Sequence, residues 1–355
     1  MRGVIFLFCL LFAVASAAPT ATAAPATPLR PGELGSDTAV LGWINNYRVR
    51  HDLAHVPEAI KALSALGAFK DPGAAGVYVG FFAGVIGSNP RKADELIAKT
   101  VSIPAEDQWA IVQAIAYSGL PNWKDLLRKF GSRMPSRKVM IEKYLADKLK
   151  TLDQMEFEKN VSMWQKFTGY FDISKHLPGS TPAHDDETHD ASTTVLDTLW
   201  GYYFATSDPK PIVRIISVLP WSKDHDNVEK LTVGGTAKLT LASNAVRDSV
   251  LLGILKSEAK HQPKHVAEVL NDVIDAAETA QTERIRKEVL ADIDEIKRKG
   301  SLTKRETVWW GQAGEVALAG VCVVSAALGA ITFGLPCVIG GGVSAAALQY
   351  YNSQQ

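Results

Sequence analysis

The chain has 355 residues, of which 38 are Lys or Arg and 38 are Asp or Glu. This length is sufficient for two or three domains with cores of their own. Because positive and negative charges balance, no overall field attracts the chain to nucleic acid, so the composition disfavours a nucleic-acid partner.

Residues 1–17 have the three parts of a secretory signal peptide. Arg2 supplies the positive charge, residues 4–14 form a short apolar run, and Ala15 and Ala17 give the small-x-small pattern of a cleavage site. We therefore predict that the protein is exported to the periplasm or cell envelope and that the mature chain begins at Ala18.

A spacer and a helical body follow the cleavage site. Residues 18–37 are rich in Ala, Pro and Thr, which predicts a disordered spacer. From residue 38 onward the apolar side chains recur at helical spacing. Only residues 230–241 show a trace of strand alternation. The predicted fold class is predominantly α: an irregular helical-repeat-like bundle with a C-terminal apolar helical hairpin.

The body divides into helical unit 1 (38–174), a polar linker rich in Pro and Gly (175–192) and helical unit 2 (193–300). Both units contain a Gly-aromatic-aromatic segment, an Asn-Pro or Asp-Pro turn, a helical stretch ending at proline, and a further helical stretch. The first copy runs from Gly80 to Ser118 and the second from Gly201 to Asn244. Their length is that of a helical repeat, although a chance match between two helical segments is the alternative.

The middle third of the chain resembles a group of exported bacterial proteins of unassigned function. The resemblance rests on a Leu-Trp-Gly-aromatic-aromatic segment at 199–203 and a Leu-Ala-Ser-Asn segment at 241–244. It implies export and a helical body, and it implies no catalytic residues.

Residues 264–299 carry the clearest amphipathic pattern in the chain, with apolar side chains from Val266 to Ile296 on one stripe. A single helix of this length would measure about 54 Å. The pattern also permits a break at residues 279–282.

The last segment, 301–355, contains an apolar, glycine-rich stretch at 316–348 without any charged residue. Gly334 and Pro336 favour a turn in its middle, which predicts two apolar arms that form a hairpin in a lipid bilayer. Aromatic residues flank the stretch as interfacial anchors would: Trp309, Trp310, Tyr350 and Tyr351. The alternative is a helical hairpin buried in a protein core. Cys322 and Cys337 lie in the same segment; an oxidising exterior would permit a disulfide between them, and two small buried apolar residues are the alternative.

One polar run, 184–190, has the residue types of a metal site. His184, Asp186 and His189 could bind a divalent metal through imidazole and carboxylate groups. The two histidines are five residues apart and so do not share a helical face, and a solvated linker is the alternative interpretation. No phosphate-binding loop, nucleophile elbow or other cofactor motif is present in the sequence.

These patterns predict a non-enzymatic helical interaction module that is tethered to a membrane by its tail. Its partners would be the lipid bilayer and a protein bound at the helical surface. The alternatives are a secreted membrane-active factor and a metal-dependent enzyme that uses the 184–190 loop. The recurring aromatic residues are assigned to core packing, with a groove for a peptide or lipid as the alternative.

Overall fold

The computed structural model describes residues 33–157, 191–225 and 228–299. These parts of the chain contain 13 α-helices and no strand. The first range holds α1 (Asp37–Arg50), α2 (Val56–Ala65), α3 (Gly76–Ser88), α4 (Ala93–Thr100), α5 (Gln108–Tyr117), α6 (Trp123–Gly131) and α7 (Lys138–Leu145). The other two hold α8 (Ala191–Thr206), α9 (Pro209–Ser217), α10 (Val228–Ala245), α11 (Ser249–Glu258), α12 (Lys264–Glu278) and α13 (Thr282–Lys299). Short 3₁₀ turns lie at Leu53–His55, Pro135–Arg137, Leu152–Gln154 and Leu219–Lys223.

The predominantly α fold class is confirmed, whereas the strand alternation at 230–241 was misleading because this segment lies within α10. Its Thr, Val and Leu residues favour strands in isolation, but tertiary packing overrides that preference. A Cβ on Gly234 would lie 2.2 Å from the backbone nitrogen of Ser222. The helix therefore packs directly against the 219–223 turn.

The turn signals in the sequence locate helix boundaries. The side chain of Ser36 caps α1, and the side chain of Asp208 accepts the Lys210 amide at 2.9 Å to cap α9. The amphipathic segment 264–299 is broken where the sequence allowed it, because α12 ends at Glu278 and α13 begins at Thr282. Ala280 in that break has a left-handed φ of 55°.

The core is centred on α3, in which every residue from Gly76 to Ile86 is buried. Phe81 of this helix packs edge-on against Tyr47 of α1, with ring centroids 5.1 Å apart. Since α3 has no solvent-facing side, its continuous apolar sequence is explained by burial rather than by amphipathic patterning.

Helices α3 and α8 form a parallel, glycine-mediated pair. A Cβ on Gly76 would meet Asp197, one on Gly80 would lie 2.0 Å from the carbonyl oxygen of Thr198, and one on Gly84 would meet Ala205. Because these contacts advance in the same direction along both helices, the helices run parallel. The pair joins the first part of the chain to the second.

The second part is built around α10, which contacts α8, α11, α12, α13 and the 219–223 turn. A further link crosses between the parts: Arg214 of α9 donates hydrogen bonds to the backbone carbonyls of Leu152 and Met155, at 2.8 and 2.6 Å. Both parts therefore share one continuous hydrophobic core.

Among the described residues, none of the helices combines the length and hydrophobicity needed to cross a bilayer. The predicted signal peptide, most of the spacer and of the linker, and the apolar tail lie outside the described residues.

Candidate interaction site at the junction of α1, α8 and α11

The residues that the sequence proposed for a metal, a disulfide and a membrane interface all lie outside the described residues. They are His184, Asp186, His189, Cys322, Cys337, Trp309, Trp310, Tyr350 and Tyr351. Within 33–157, 191–225 and 228–299, no group of three or more His, Cys, Asp and Glu side chains is arranged to hold a metal ion.

Five of the eight recurring aromatic residues are buried in the core, and Trp123, Tyr202 and Trp221 are partly buried against it. Phe81, Phe82, Trp109, Trp200 and Tyr203 are at most 2% exposed. The indole nitrogens are satisfied internally, since Trp109 donates to the carbonyl of Phe69 at 3.0 Å and Trp200 to the hydroxyl of Thr240 at 3.2 Å. The assignment to core packing is confirmed for these five residues.

A three-residue polar clamp connects α1, α8 and α11. Arg48 pairs with the carboxylate of Asp248 at 2.6 Å and donates a hydrogen bond to the hydroxyl of Tyr203 at 2.9 Å. The Tyr203 hydroxyl in turn donates to Asp248 at 2.9 Å. Each of the three groups contacts the other two, and the Arg48 and Asp248 side chains are only 14% and 12% exposed. Charge-assisted hydrogen bonds in such a setting are stronger than exposed ion pairs.

Local helix chemistry positions the clamp. Asp248 is the N-cap of α11 and accepts the backbone amides of Val250 and Leu251, both at 3.1 Å. Arg48 lies in the last turn of α1, where the helix dipole favours a cation. The clamp therefore fixes a helix C-terminus against a helix N-terminus through Tyr203.

Further polar groups follow the end of α1. His51 ends the helix with a left-handed φ of 47°, and the next residue, Asp52, contacts the imidazole of His55 at 2.6 Å. The other carboxylate oxygen of Asp52 is buried without a hydrogen-bond partner among the described residues. Burial, together with the negative charge of Asp52, raises the pKa of Tyr47 to about 12. Burial also raises the pKa of Tyr203. The positive charge of Arg48 opposes this increase, and the negative charge of Asp248 offsets the effect of Arg48.

Three exposed valines are close in sequence to residues of the clamp. Val49, next to Arg48, is 82% exposed, and Val246 and Val250, two residues on either side of Asp248, are 40% and 58% exposed. These are three of the five large apolar side chains that are exposed in the described parts of the chain. We call Val49, Val246, Val250 and the exposed Arg247 between the last two the valine patch. A cluster of exposed apolar side chains is characteristic of an interaction surface, whereas scattered ones are not.

The charges at the valine patch are unequal. The carboxylates of Asp248 and Glu33 are mostly buried and paired, with Arg48 and Arg50 respectively. Arg247 makes no ion pair within the described residues, whereas the charge of Arg50 is compensated by Glu33. Arg247 therefore supplies the uncompensated charge of the valine patch.

A second polar cluster lies away from this junction, between α10, α12 and α13. Lys238 is 2% exposed and pairs with Asp272 at 2.8 Å and with Glu288 at 2.6 Å. Arg284 pairs with Asp272 at 2.7 Å. Because all of these charges are compensated within the cluster, we assign to it the role of holding α13 on the body.

Sequence analysis did not identify either cluster. The Asp-Ser-apolar pattern at 248–251 is a recognisable helix start, and it could have marked Asp248 as a cap. The pairing of Asp248 with Arg48 joins residues that are far apart in the sequence, and no local pattern predicts it.

Comparison of the chain with protein-family models, with curated proteins and with solved structures found no match.

Proposed function

We propose that this protein is an exported helical interaction module, tethered to a membrane by residues 301–355 and facing the periplasm or cell exterior. The observation that carries the proposal is the valine patch. Exposed valines lower the solubility and contribute nothing to the core, so three of them next to clamp residues in the sequence favour a binding role. The clamp supplies the rigidity, because three hydrogen-bonded groups fix the helix ends that carry the valines.

The interaction module is proposed to consist of two related helical units. In the first, α3 leads through the turn at Pro90 to α4 and then to α5. In the second, α8 leads through Pro209 to α9 and, after the 219–223 turn, to α10. Gly80 and Gly201, which hold matching places in the two segments, are the points of closest approach between α3 and α8. This correspondence supports a helical-repeat-like body in which the two copies pair through their first helices.

The membrane tether is proposed from the sequence of the tail. No charged side chain occurs after Glu315, and the apolar stretch has a Gly and Pro turn between two arms. Glycines in both arms would permit the close helix contact seen in membrane hairpins. The signal peptide supports delivery of the body to the outer side of the membrane.

Cell fractionation separates this proposal from its two alternatives. A tethered module stays in the membrane fraction of the producing cell. A secreted membrane-active factor is recovered from the medium and makes liposomes leak, and a metal-dependent enzyme loses an activity when a chelator is added. Recovery of the chain from the medium as a soluble protein would contradict the proposal.

A further inference from the structure

The buried ammonium group of Lys238 is the point at which charge holds α13 on the body. The side chain is 2% exposed, and its Nζ lies 2.8 Å from Asp272 of α12 and 2.6 Å from Glu288 of α13. We propose that α13 is an acid-released latch, which leaves α10 when both carboxylates are protonated while the rest of the body stays folded. This inference is independent of the membrane tether, because it concerns contacts within the body.

The two helices that supply the carboxylates are anchored unequally. The buried apolar side chains of α12 are Val266, Val269, Leu270, Val273, Ile274, Ala276 and Ala277. Among the α13 side chains that the structure describes, the buried apolar ones are Ile285 and Val289. Val289 sits over Gly235 of α10, where an added Cβ would lie 2.9 Å from a methyl group of the valine. On these side chains, apolar burial anchors α12 more firmly than α13.

Protonation of both carboxylates would leave the ammonium group of Lys238 buried and unpaired, which is strongly unfavourable. Moving one covering helix aside gives this group access to water, and moving α13 breaks fewer apolar contacts than moving α12. The joint between them is suited to the movement, because residues 279–281 are exposed. Ala280 has a left-handed φ of 55°, so rotation at this joint also relieves backbone strain.

The charged groups around Lys238 come from three elements packed on α10, and neither α8 nor α11 supplies an ion pair to it within the described ranges. These groups are Asp272 and Asp275 of α12, Arg284, Glu288, Asp292 and Glu295 of α13, and His225 after the 219–223 turn. Although partial burial raises it, the hydrogen bonds and charges of Lys238 and Arg284 hold the pKa of Asp272 below its usual value. Release therefore begins only below about pH 4.

Asp292 acts in the opposite direction at higher pH. Burial raises its pKa, the positive charges of His225 and Lys238 oppose the rise, and the negative charges of Glu288 and Glu295 add to it. Protonation of Asp292 removes its repulsion from the other two carboxylates of α13. The latch is therefore held more firmly as the pH first falls, and it opens when the pH falls further.

The experiment measures the distance between α12 and α13 in the full-length chain. The three cysteines are replaced by serine, and spin labels are attached to Glu268→Cys of α12 and Lys287→Cys of α13, both at exposed positions. The matched control pair is Glu268→Cys with Ser257→Cys of α11, which is also exposed. Double electron–electron resonance is recorded at pH 7 and pH 3.

We expect the 268–287 distance to increase at pH 3 by on the order of 10 Å, the diameter of a helix, while the 257–268 distance is unchanged. The double substitution Asp272→Asn with Glu288→Gln should give the longer distance already at pH 7. Adding Lys238→Met to this variant removes the stranded charge and should restore the short distance at both pH values.

The matched substitution control is Glu58→Gln with Glu142→Gln, which removes two exposed carboxylates from α2 and α7 and should leave the distance unchanged. An unchanged 268–287 distance at pH 3 would overturn the latch, and so would an increase in both label pairs together, which indicates general unfolding. A long distance that persists after Lys238→Met is added would also overturn it, because the stranded ammonium group would not be the trigger.

Discussion

Gly80 of α3 and Gly201 of α8 face each other across a parallel helix pair in which neither position has room for a side chain. A Cβ on Gly80 would lie 2.0 Å from the carbonyl oxygen of Thr198, and a Cβ on Gly201 would lie 2.0 Å from that of Val77. Each obstructing carbonyl thus belongs to the residue three positions before the opposite glycine. Because these atoms are backbone, neither helix can relieve the clash by changing a rotamer.

Gly80→Ala and Gly201→Ala should therefore each reduce the free energy of unfolding by about 3 kcal/mol or more, at the upper end of overpacking effects. Urea denaturation followed by circular dichroism measures the change. The matched control is Gly253→Ala in α11, where nothing lies within 4 Å of the added Cβ. The control should gain about 0.5–1 kcal/mol through helix propensity. A loss below 1 kcal/mol in both core variants would show that the helices are not in close contact.

The clamp should behave as one coupled unit. Asp248→Asn keeps a side chain that can cap α11 but removes the negative charge facing Arg48. A double-mutant cycle between Arg48→Met and Asp248→Asn should give a coupling free energy of about 1–3 kcal/mol, as expected for a charged hydrogen-bonded pair of low exposure. The exposed pair of Lys129 and Asp94 is the control and should show little coupling. Equal coupling in the two cycles would mean that the clamp adds no rigidity.

Removing the positive charge of the cluster around Lys238 should affect protein stability less than removing its negative charges. Lys238→Met leaves carboxylates that remain partly solvated, so stability should change by no more than about 1 kcal/mol. The double substitution Asp272→Asn with Glu288→Gln strands a buried ammonium group and should cost about 3–5 kcal/mol. Thermal denaturation of both variants tests this, and a larger loss for Lys238→Met than for the double substitution would contradict the expected asymmetry.

Two carboxylates of this region should give opposite dependences of stability on pH. Partial burial would raise the pKa of Asp272, but the hydrogen bonds and charges of Lys238 and Arg284 hold that pKa below its usual value. The contribution of Asp272 to folding stability is therefore present above about pH 4 and is lost as the pH falls further. Burial raises the pKa of Asp292, against the positive charges of His225 and Lys238 and assisted by nearby carboxylates. The contribution of Asp292 is therefore full at low pH and is lost as pH rises through its raised pKa.

Asp292→Asn should consequently stabilise the protein at neutral pH and have little effect near pH 3, while Asp272→Asn should destabilise it at neutral pH. Chemical denaturation of both variants at the two pH values measures the difference. The same sign of change for both at neutral pH would show that these carboxylates do not differ in environment.

Local sequence patterns predicted much of the fold and little of the site. The helical face containing Val40, Leu41, Ile44 and Tyr47 is buried, because a period of 3.6 residues directly reports which side of a helix meets the core. Leu66 shares the spacing of Ile60 and Leu63 but is 39% exposed, since it follows the end of α2 and no longer continues its face. The strand alternation within α10 misled because packing against the 219–223 turn outweighs β-propensity.

The junction of α1, α8 and α11 depends on contacts between distant parts of the chain. Arg48 is 200 positions from Asp248 in the sequence, and only folding around α3 brings them together. The sequence alone likewise does not distinguish the exposed valines from valines that a helix buries.

The most direct test of the central claim, a folded body tethered to a membrane by an apolar tail, is carbonate extraction of cells producing either the full-length chain or a chain truncated after Lys304. The account predicts that the full-length chain resists extraction, whereas the truncated chain is soluble, with the helical circular dichroism and cooperative unfolding of a body that covers its own apolar faces. If carbonate washes the full-length chain from the membrane and the truncated chain is recovered only as aggregate, the tail is part of the core and the account is wrong.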